Sequence, residues 1–430
     1  MNKIDQIYLQ SKNVQRSAFI WNAMASMVLA AQSVLVMMIL TRTIGMEKAG
    51  IFSFAHSNAN LMYFIGEFGA RRYQASDVKE KYSPSEYYGF RILTTSLMVL
   101  VLAVFSVYAS ITRGYTADKA LTIFFVGMCL VVQALSDGYE ANMQQKGRLD
   151  IAAKGAFTRS SSLIVAYLIG IFATRSLVVS SALAFGLAAC SFLLTVFRYS
   201  SRFGERKPLF KSSTIRGLFI ALVPIFATLF LNNYIANAPK YAIDDALGDE
   251  IQALYGFLFM PSYAIGVVCN FIFNPIIVSY SKLWTENKIK EFRRLVGRQM
   301  LIITGLTVLA LIAAFLLGIP VLSLVFGADL DGYRKELCIL ILGGSMWAFC
   351  TFFTTIITIM RKQNNLLVGY LIAAAVMLLA SKKVVTSYGV TGAAVLYTCV
   401  MMLLAIMLFA FCMIGIASQK KKGSMSDAVS

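Results

Sequence analysis

Residues 215–245 read IRGLFIALVPIFATLFLNNYIANAPKYAIDD: an apolar half fit for hydrocarbon runs straight into three asparagines, a proline, a lysine and two aspartates. As one helix, the polar half places Asn233, Asn237, Lys240 and Asp244 at spacings of four, three and four, along a single face. A polar or charged group in hydrocarbon costs several kcal/mol unless it meets water or a partner. The stretch therefore predicts a membrane helix whose second half lines an aqueous cavity. Pro224 and Pro239 give that helix places to bend and are the candidate hinge.

The rest of the chain supports the membrane reading. Of 430 residues, 58% are hydrophobic and only 14% charged, a balance typical of polytopic membrane proteins. Apolar runs of the ~20 residues needed to cross a bilayer fall near 17–41, 50–70, 88–112, 119–142, 157–174, 177–198, 216–240, 251–280, 299–326, 335–360, 365–387 and 389–417. The expected fold is an all-α polytopic membrane protein of about twelve transmembrane helices, in two six-helix lobes around a central cavity. The division is a cytoplasmic N-terminal segment (1–16), an N-lobe (17–200), a basic cytoplasmic linker (201–215), a C-lobe (216–417) and a basic, disordered cytoplasmic tail (418–430). With both termini inside, about 29 of the Lys and Arg residues fall in cytoplasmic segments and about 10 in outer loops. That asymmetry accounts for the net charge of +18 without nucleic acid. The first apolar run is too long for a signal peptide and reads as a retained span.

Composition also excludes function classes. A single histidine (His56) removes sites built on two imidazoles, and no HExxH, CxxC, GxSxG, phosphate-loop or dinucleotide motif is present. The seven cysteines sit in apolar runs without metal-ligand spacing. No cofactor, metal or catalytic group is expected, and the chain reads as a transporter rather than an enzyme.

The two halves share a pattern. IGMEKAGIFSF (44–54) is matched by LGDEIQALYGF (247–257), and Arg91 opens the third span as Arg298 opens the ninth. Intramembrane prolines (Pro224, Pro239, Pro261, Pro275, Pro320) cluster in spans seven to nine, which marks the second lobe as the one that flexes.

Two further spans carry polar faces: His56, Asn60, Tyr63 and Glu67 on the second, and Gln133, Asp137, Glu140 and Gln144 on the fourth. Each has a plainer reading. Lys240, near a span end, equally suits a lysine that snorkels to the outer interface; Asp244 and Asp245 suit the outer loop; Asp137 and Glu140 suit interfacial solvation. Glu67 with Arg71 at i+4 makes an intrahelical ion pair. Arg42 is either an outer anchor or turned inward by the short TRTIG turn. His56 fits a hydrogen-bonded interior residue better than a proton carrier.

At ILTRTIGMEKAGIFSFAHS (39–57), NNYIANAPKYAIDDALGDEIQALYGFLFMP (232–261) and IPVLSLVFGADLDGYRKELCILILGGSMWAF (319–349), the sequence resembles bacterial oligosaccharidyl-lipid flippases of the polysaccharide transporter (Wzx-type) family, within the multidrug/oligosaccharidyl-lipid/polysaccharide exporter superfamily. The resemblance implies two lobes in a V around a cavity that opens alternately to either face. It implies an undecaprenyl-diphosphate-linked oligosaccharide as substrate, moved to the outer leaflet of the bacterial plasma membrane for surface polysaccharide assembly, with a polysaccharide polymerase or glycosyltransferases as partners beside the lipid bilayer. It also implies a cationic cavity lining, for which Arg42, Arg159 and Lys240 occupy matching positions. On this reading the cations hold the diphosphate, while Asn60, Asn233 and Asn237 contact the glycan. Asp137, Glu140 and Glu67 are candidates for H⁺ or Na⁺ coupling. The alternative is a cation-coupled multidrug exporter of the same superfamily, and a third class is a polytopic enzyme of polysaccharide assembly.

Overall fold

The computed structural model describes residues 3–76, 81–273, 277–360 and 363–427. Among them the regular elements are all helices: α1 (Lys3–Leu9), α2 (Val14–Thr43), α3 (Met46–Glu67), α4 (Ala70–Ser76), α5 (Pro84–Thr112), α6 (Ala117–Gln145), α7 (Leu149–Thr174), α8 (Leu177–Phe192), α9 (Arg198–Ser200), α10 (Ser212–Ala246), α11 (Asp249–Phe273), α12 (Ile277–Thr285), α13 (Ile289–Ala313), α14 (Ile319–Phe326), α15 (Arg334–Ile359) and α16 (Gln363–Asp427). Single π-helical turns join α8 to α9 and α13 to α14. Nine helices among the described residues are long and apolar enough to cross a membrane. With α3 and α11, and with α16 counted as two helices meeting at Gly389 (φ 58°, ψ −141°), twelve helices stand over the twelve apolar runs.

The helix α5 shows why such sequences suit lipid. Ser83 and Glu86 form a reciprocal capping box and Pro84 pre-sets the first turn, so the helix start is fixed locally. Beyond it, Leu93, Leu97, Leu100, Val104, Val107 and Ile111 are exposed along one face. Arg91, Thr94, Thr95, Ser106 and Ala109 are buried on the other. Polar and small residues inside with large apolar ones outside reverse the pattern of a water-soluble helix. A hydrocarbon surround favours this arrangement.

The internal repeat has a structural counterpart. Gly45 (φ 101°) and Gly248 (φ 84°) both adopt left-handed backbone immediately before a helix, α3 and α11 respectively. The arginine correspondence does not extend to role. Arg91 is buried, whereas Arg298 is exposed.

The chain divides into two compact units, Met1–Phe230 and Leu231–Ser430. This division falls inside α10, between Pro224 and Pro239, rather than in the basic segment 201–215. The first half of α10 belongs to unit 1 because Leu218 and Leu222 are fully buried in an aromatic core with Phe68, Tyr87 and Phe90. The start of α10 is tied there as well, through Thr214 Oγ1 donating to Glu86 Oε1 (2.6 Å). Within unit 1, α6 is the central helix, packed by α3, α5, α7 and α8. In unit 2 that place is taken by α15, packed by α11, α13 and α16.

Two further differences from the sequence reading concern helix ends. Asp244 and Asp245, expected in a loop, lie in the last turn of α10, with Asp244 buried. The helix α16 runs to Asp427 across the tail expected to be disordered. Extending an existing helix avoids the cost of nucleation, and Ala, Gln and Lys are good helix formers. Pro275 lies outside the described residues.

Candidate functional site

Unit 1 gathers charges from four helices. On α3, Asn60 Nδ2 donates to the His56 carbonyl (2.8 Å), and the His56 ring stacks on Phe52. One turn on, Tyr63 OH donates to Asp137 Oδ2 on α6. Arg71, on α4, reaches the same face: its Nη1 bonds Asp137 Oδ1 (2.5 Å) and Glu140 Oε2 (3.1 Å). Arg159 on α7 completes the group, with Nη1 2.7 Å from Glu140 Oε1 and 2.5 Å from Ser136 Oγ. Ser136 Oγ in turn donates to Glu140 Oε1 (2.7 Å). Glu140 is 0% exposed and Asp137 2%. Ionised carboxylates at that depth require pairing, and two arginines and two hydroxyls supply it.

A third arginine sets the geometry. Arg91 on α5 is 2% exposed and its Nη1 donates to the carbonyls of Gly66 (2.9 Å) and Glu67 (2.7 Å). These are orphan acceptors at the end of α3, where a cation also meets the negative pole of the helix. The backbone then turns through left-handed Phe68 (φ 47°) and Gly69 (φ 69°) before α4 begins. Arg71 therefore does not continue the α3 face beside Glu67, as i+4 spacing predicts, but turns to α6.

Unit 2 presents a different chemistry. Lys240, on α10, is buried with its Nζ 4.6 Å from the centroid of the Phe259 ring on α11. One turn back, Asn237 Nδ2 donates to the Asn233 carbonyl (3.1 Å) and to its Oδ1 (3.2 Å). Tyr263 packs edge-on to Phe259 and to Trp347, and Phe259 packs edge-on to Tyr397. Nearby on α11, Gln252 and Tyr255 are fully buried. Both amide atoms of Gln252 and the Tyr255 hydroxyl make no hydrogen bond among the described residues. The cluster thus joins an ammonium, amides and aromatic rings packed edge to face. Among the described residues no group of His, Cys, Asp and Glu forms a metal site.

Comparison with known proteins settles the architecture. The structure is similar to an inward-facing multidrug resistance MATE family transporter of the MOP superfamily, with a TM-score of 0.68 at 12% identity over 94% of this chain and 99% of that one. The chain has a MATE-like fold. An outward-facing MATE family transporter gives 0.61 at 12% identity, covering 98% of this chain and 99% of the other. A MOP superfamily transporter from Pyrococcus furiosus, described as having a binding pocket of reverse polarity that suggests a different function, gives 0.60 at 11% identity with the same coverage. A Staphylococcus aureus protein described as capsular polysaccharide biosynthesis protein CapF is 22% identical over 270 residues, 61% of this chain. The chain spans 66% of that relative's length. No protein-family model matches the sequence.

Within this MATE-like fold, Arg159, Asp137 and Glu140 come together, so residues assigned separately to substrate and to ion coupling form one ion-pair network. Glu67 is buried at the end of α3, beside the Arg91 cap. Asn60 lies one turn from Tyr63 on the same helix. Asn233, Asn237 and Lys240 come together in unit 2. Arg42 is exposed in the last turn of α2. Pro224 is exposed and Pro239 buried, both within an uninterrupted α10. Sequence reasoning missed Arg71 and Arg91 as members of the network. The available signal was Gly69, two residues after Glu67, which marks a helix end rather than a continuing face.

Proposed function

We propose that this protein is a membrane transporter that works by alternating access and moves an anionic lipid-linked glycan, an undecaprenyl-diphosphate-linked oligosaccharide, to the outer leaflet of the bacterial plasma membrane. The observation that carries the reading is the unit 2 cluster, where the buried Lys240 ammonium lies over Phe259 one turn from Asn237, and Phe259 meets Tyr263, which in turn meets Trp347. A diphosphate needs a cation in a water-poor setting, and sugar hydroxyls need amides and flat apolar faces. A cationic drug would instead be repelled by a buried ammonium. The similarity to a capsular polysaccharide biosynthesis protein supports the same cargo.

Unit 1 supplies a coupling device on this reading. A buried guanidinium without an anion is costly, so Asp137 and Glu140 hold Arg71 and Arg159 in the empty state. Protonation of the two carboxylates removes the arginines' partners and leaves the network short of negative charge. That weakens the conformation held by the ion pairs, so protons taken up at the outer face favour the return of the emptied transporter and leave inside as the pairs re-form.

Cation-coupled multidrug export is the second reading, favoured by the carboxylate pair of α6 and by the MATE neighbours. One comparison separates the two. In proteoliposomes, transfer of a fluorescent lipid-linked oligosaccharide is expected from the intact chain. Lys240→Met is expected to reduce it by about 100-fold, the scale of one lost charge-assisted contact, while Lys240→Arg retains most of it. Efflux of cationic dyes without glycan-lipid transfer decides for drug export.

A further inference from the structure

The N-terminal segment closes a third polar site. Its helix α1 is docked on unit 1 by several contacts. Tyr8 OH shares a 2.5 Å hydrogen bond with Thr158 Oγ1, and its ring stacks on Tyr199. Tyr199 OH donates to Asp5 Oδ1 (2.9 Å), and Arg148 Nη2 donates to the Leu9 carbonyl (2.9 Å). This docking leaves a cavity of about 400 Å³ between the α1–α2 turn and α7. Lys12, Arg16 and Lys154 line its polar end and Ile20 and Trp21 its apolar end. Among the described residues lining it there is no carboxylate. The nearby Asp150 is engaged by Arg148 Nε (2.8 Å) and Nη2 (3.0 Å) and by Ser11 Oγ (2.8 Å), and its charge also acts on Lys154, so the net cationic character of the cavity rests on Lys12 and Arg16.

Three features of this cavity converge on one ligand chemistry. It holds three cationic side chains at the positive end of α2, a 30-residue helix whose first turn is capped by Asn13. Lys154 is 5% exposed; its Nζ donates to the Tyr8 carbonyl and to Ser11 Oγ (3.3 Å each) and lies 5.9 Å from the Trp21 ring centroid. The cavity also sits where α2 passes from Lys12 and Arg16 to the exposed apolar side chains Phe19, Ile20 and Met24. That is the polar boundary of a membrane span, where tryptophan belongs.

We propose that this cavity binds the phosphate headgroup of an anionic membrane lipid, with Lys12, Arg16 and Lys154 on the phosphate and Trp21 and Ile20 against the glycerol and first methylenes. Bound lipid ties the α1–α2 turn to the bilayer and reinforces the docking of α1 on α7.

The test is native mass spectrometry of the full-length chain in detergent, titrated with equimolar phosphatidylglycerol and phosphatidylcholine. Phosphatidylglycerol is expected to bind about tenfold or more tightly. The exposed pair Lys12→Ala/Arg16→Ala is expected to weaken it by about 25-fold, roughly fivefold per cation, whereas Lys12→Arg/Arg16→Lys retains it. Lys382→Ala/Lys383→Ala removes the same charge from an exposed stretch of α16 and is expected to change nothing. Equal binding of the two lipids overturns the proposal, as does an equal loss in the α16 control. Displacement of the lipid by equimolar soluble glycerol 3-phosphate also overturns it, because the site would then be one for free phosphate.

Discussion

Arg159 and Glu140 illustrate what a buried pair means inside a membrane helix bundle. The two groups are 4% and 0% exposed and 2.7 Å apart, so neither has bulk water to fall back on. Removing Glu140 leaves Arg159 with the Ser136 hydroxyl, and removing Arg159 leaves Glu140 with Arg71 and Ser136, a loss of up to about 3–5 kcal/mol. Removing both costs less than the sum, because the second truncation relieves the penalty left by the first. Arg159→Ala is therefore expected to lower the thermal unfolding midpoint in detergent strongly, and Arg159→Ala/Glu140→Ala to recover much of the loss. Strictly additive effects in that cycle would mean that the two side chains act separately.

At the scale of elements, the break between α3 and α4 aims Arg71. Phe68 adopts left-handed backbone, which costs a non-glycine residue about 1–2 kcal/mol. Its ring offsets this by stacking on Phe226 (centroids 4.4 Å apart) and Phe219 (5.0 Å). Gly69 also has positive φ, and a Cβ there would stand 2.7 Å from Ile225 Cγ2. Gly69→Ala is thus expected to destabilise by about 1–3 kcal/mol and to pull Arg71 from Asp137, which differential scanning of the purified variant would register as a lowered midpoint. An unchanged midpoint would show that the break tolerates a side chain and is not fixed by its backbone.

This element also marks the limit of what sequence reveals. The apolar runs, their order and the faces of α3, α6 and α10 were legible because lipid tolerates only long apolar helices and makes every polar stripe conspicuous. The Asn233, Asn237 and Lys240 grouping followed from periodicity alone. Periodicity assumes an unbroken helix, however, and at Phe68 that assumption fails. Arg91 was visible only as a repeat marker, since nothing in a linear pattern shows that its guanidinium closes the end of another helix. The split of α10 was equally hidden, because Leu218 and Leu222 look lipid-facing until the aromatic core around Phe68 is in place.

For the whole molecule, the proposed cargo and the α6 carboxylates make opposite-signed charges travel in opposite directions. Moving about two negative charges out of a cell that is negative inside is favoured by about 4.6 kcal/mol at 100 mV, from ~2.3 kcal/mol per charge. On the proposed coupling, each proton entering on Asp137 or Glu140 would add a similar amount, so both movements would draw on the same potential with the same sign. Transfer of lipid-linked oligosaccharide in proteoliposomes is therefore expected to rise steeply with a potential negative on the loading side. An acid pH on the receiving side is expected to add to it. Asp137→Asn/Glu140→Gln is expected to abolish the response to the pH gradient while leaving the voltage response, because the phosphate charge still crosses. A variant that lost both responses together would assign the voltage sensitivity to protons alone and would point to an uncharged or cationic cargo.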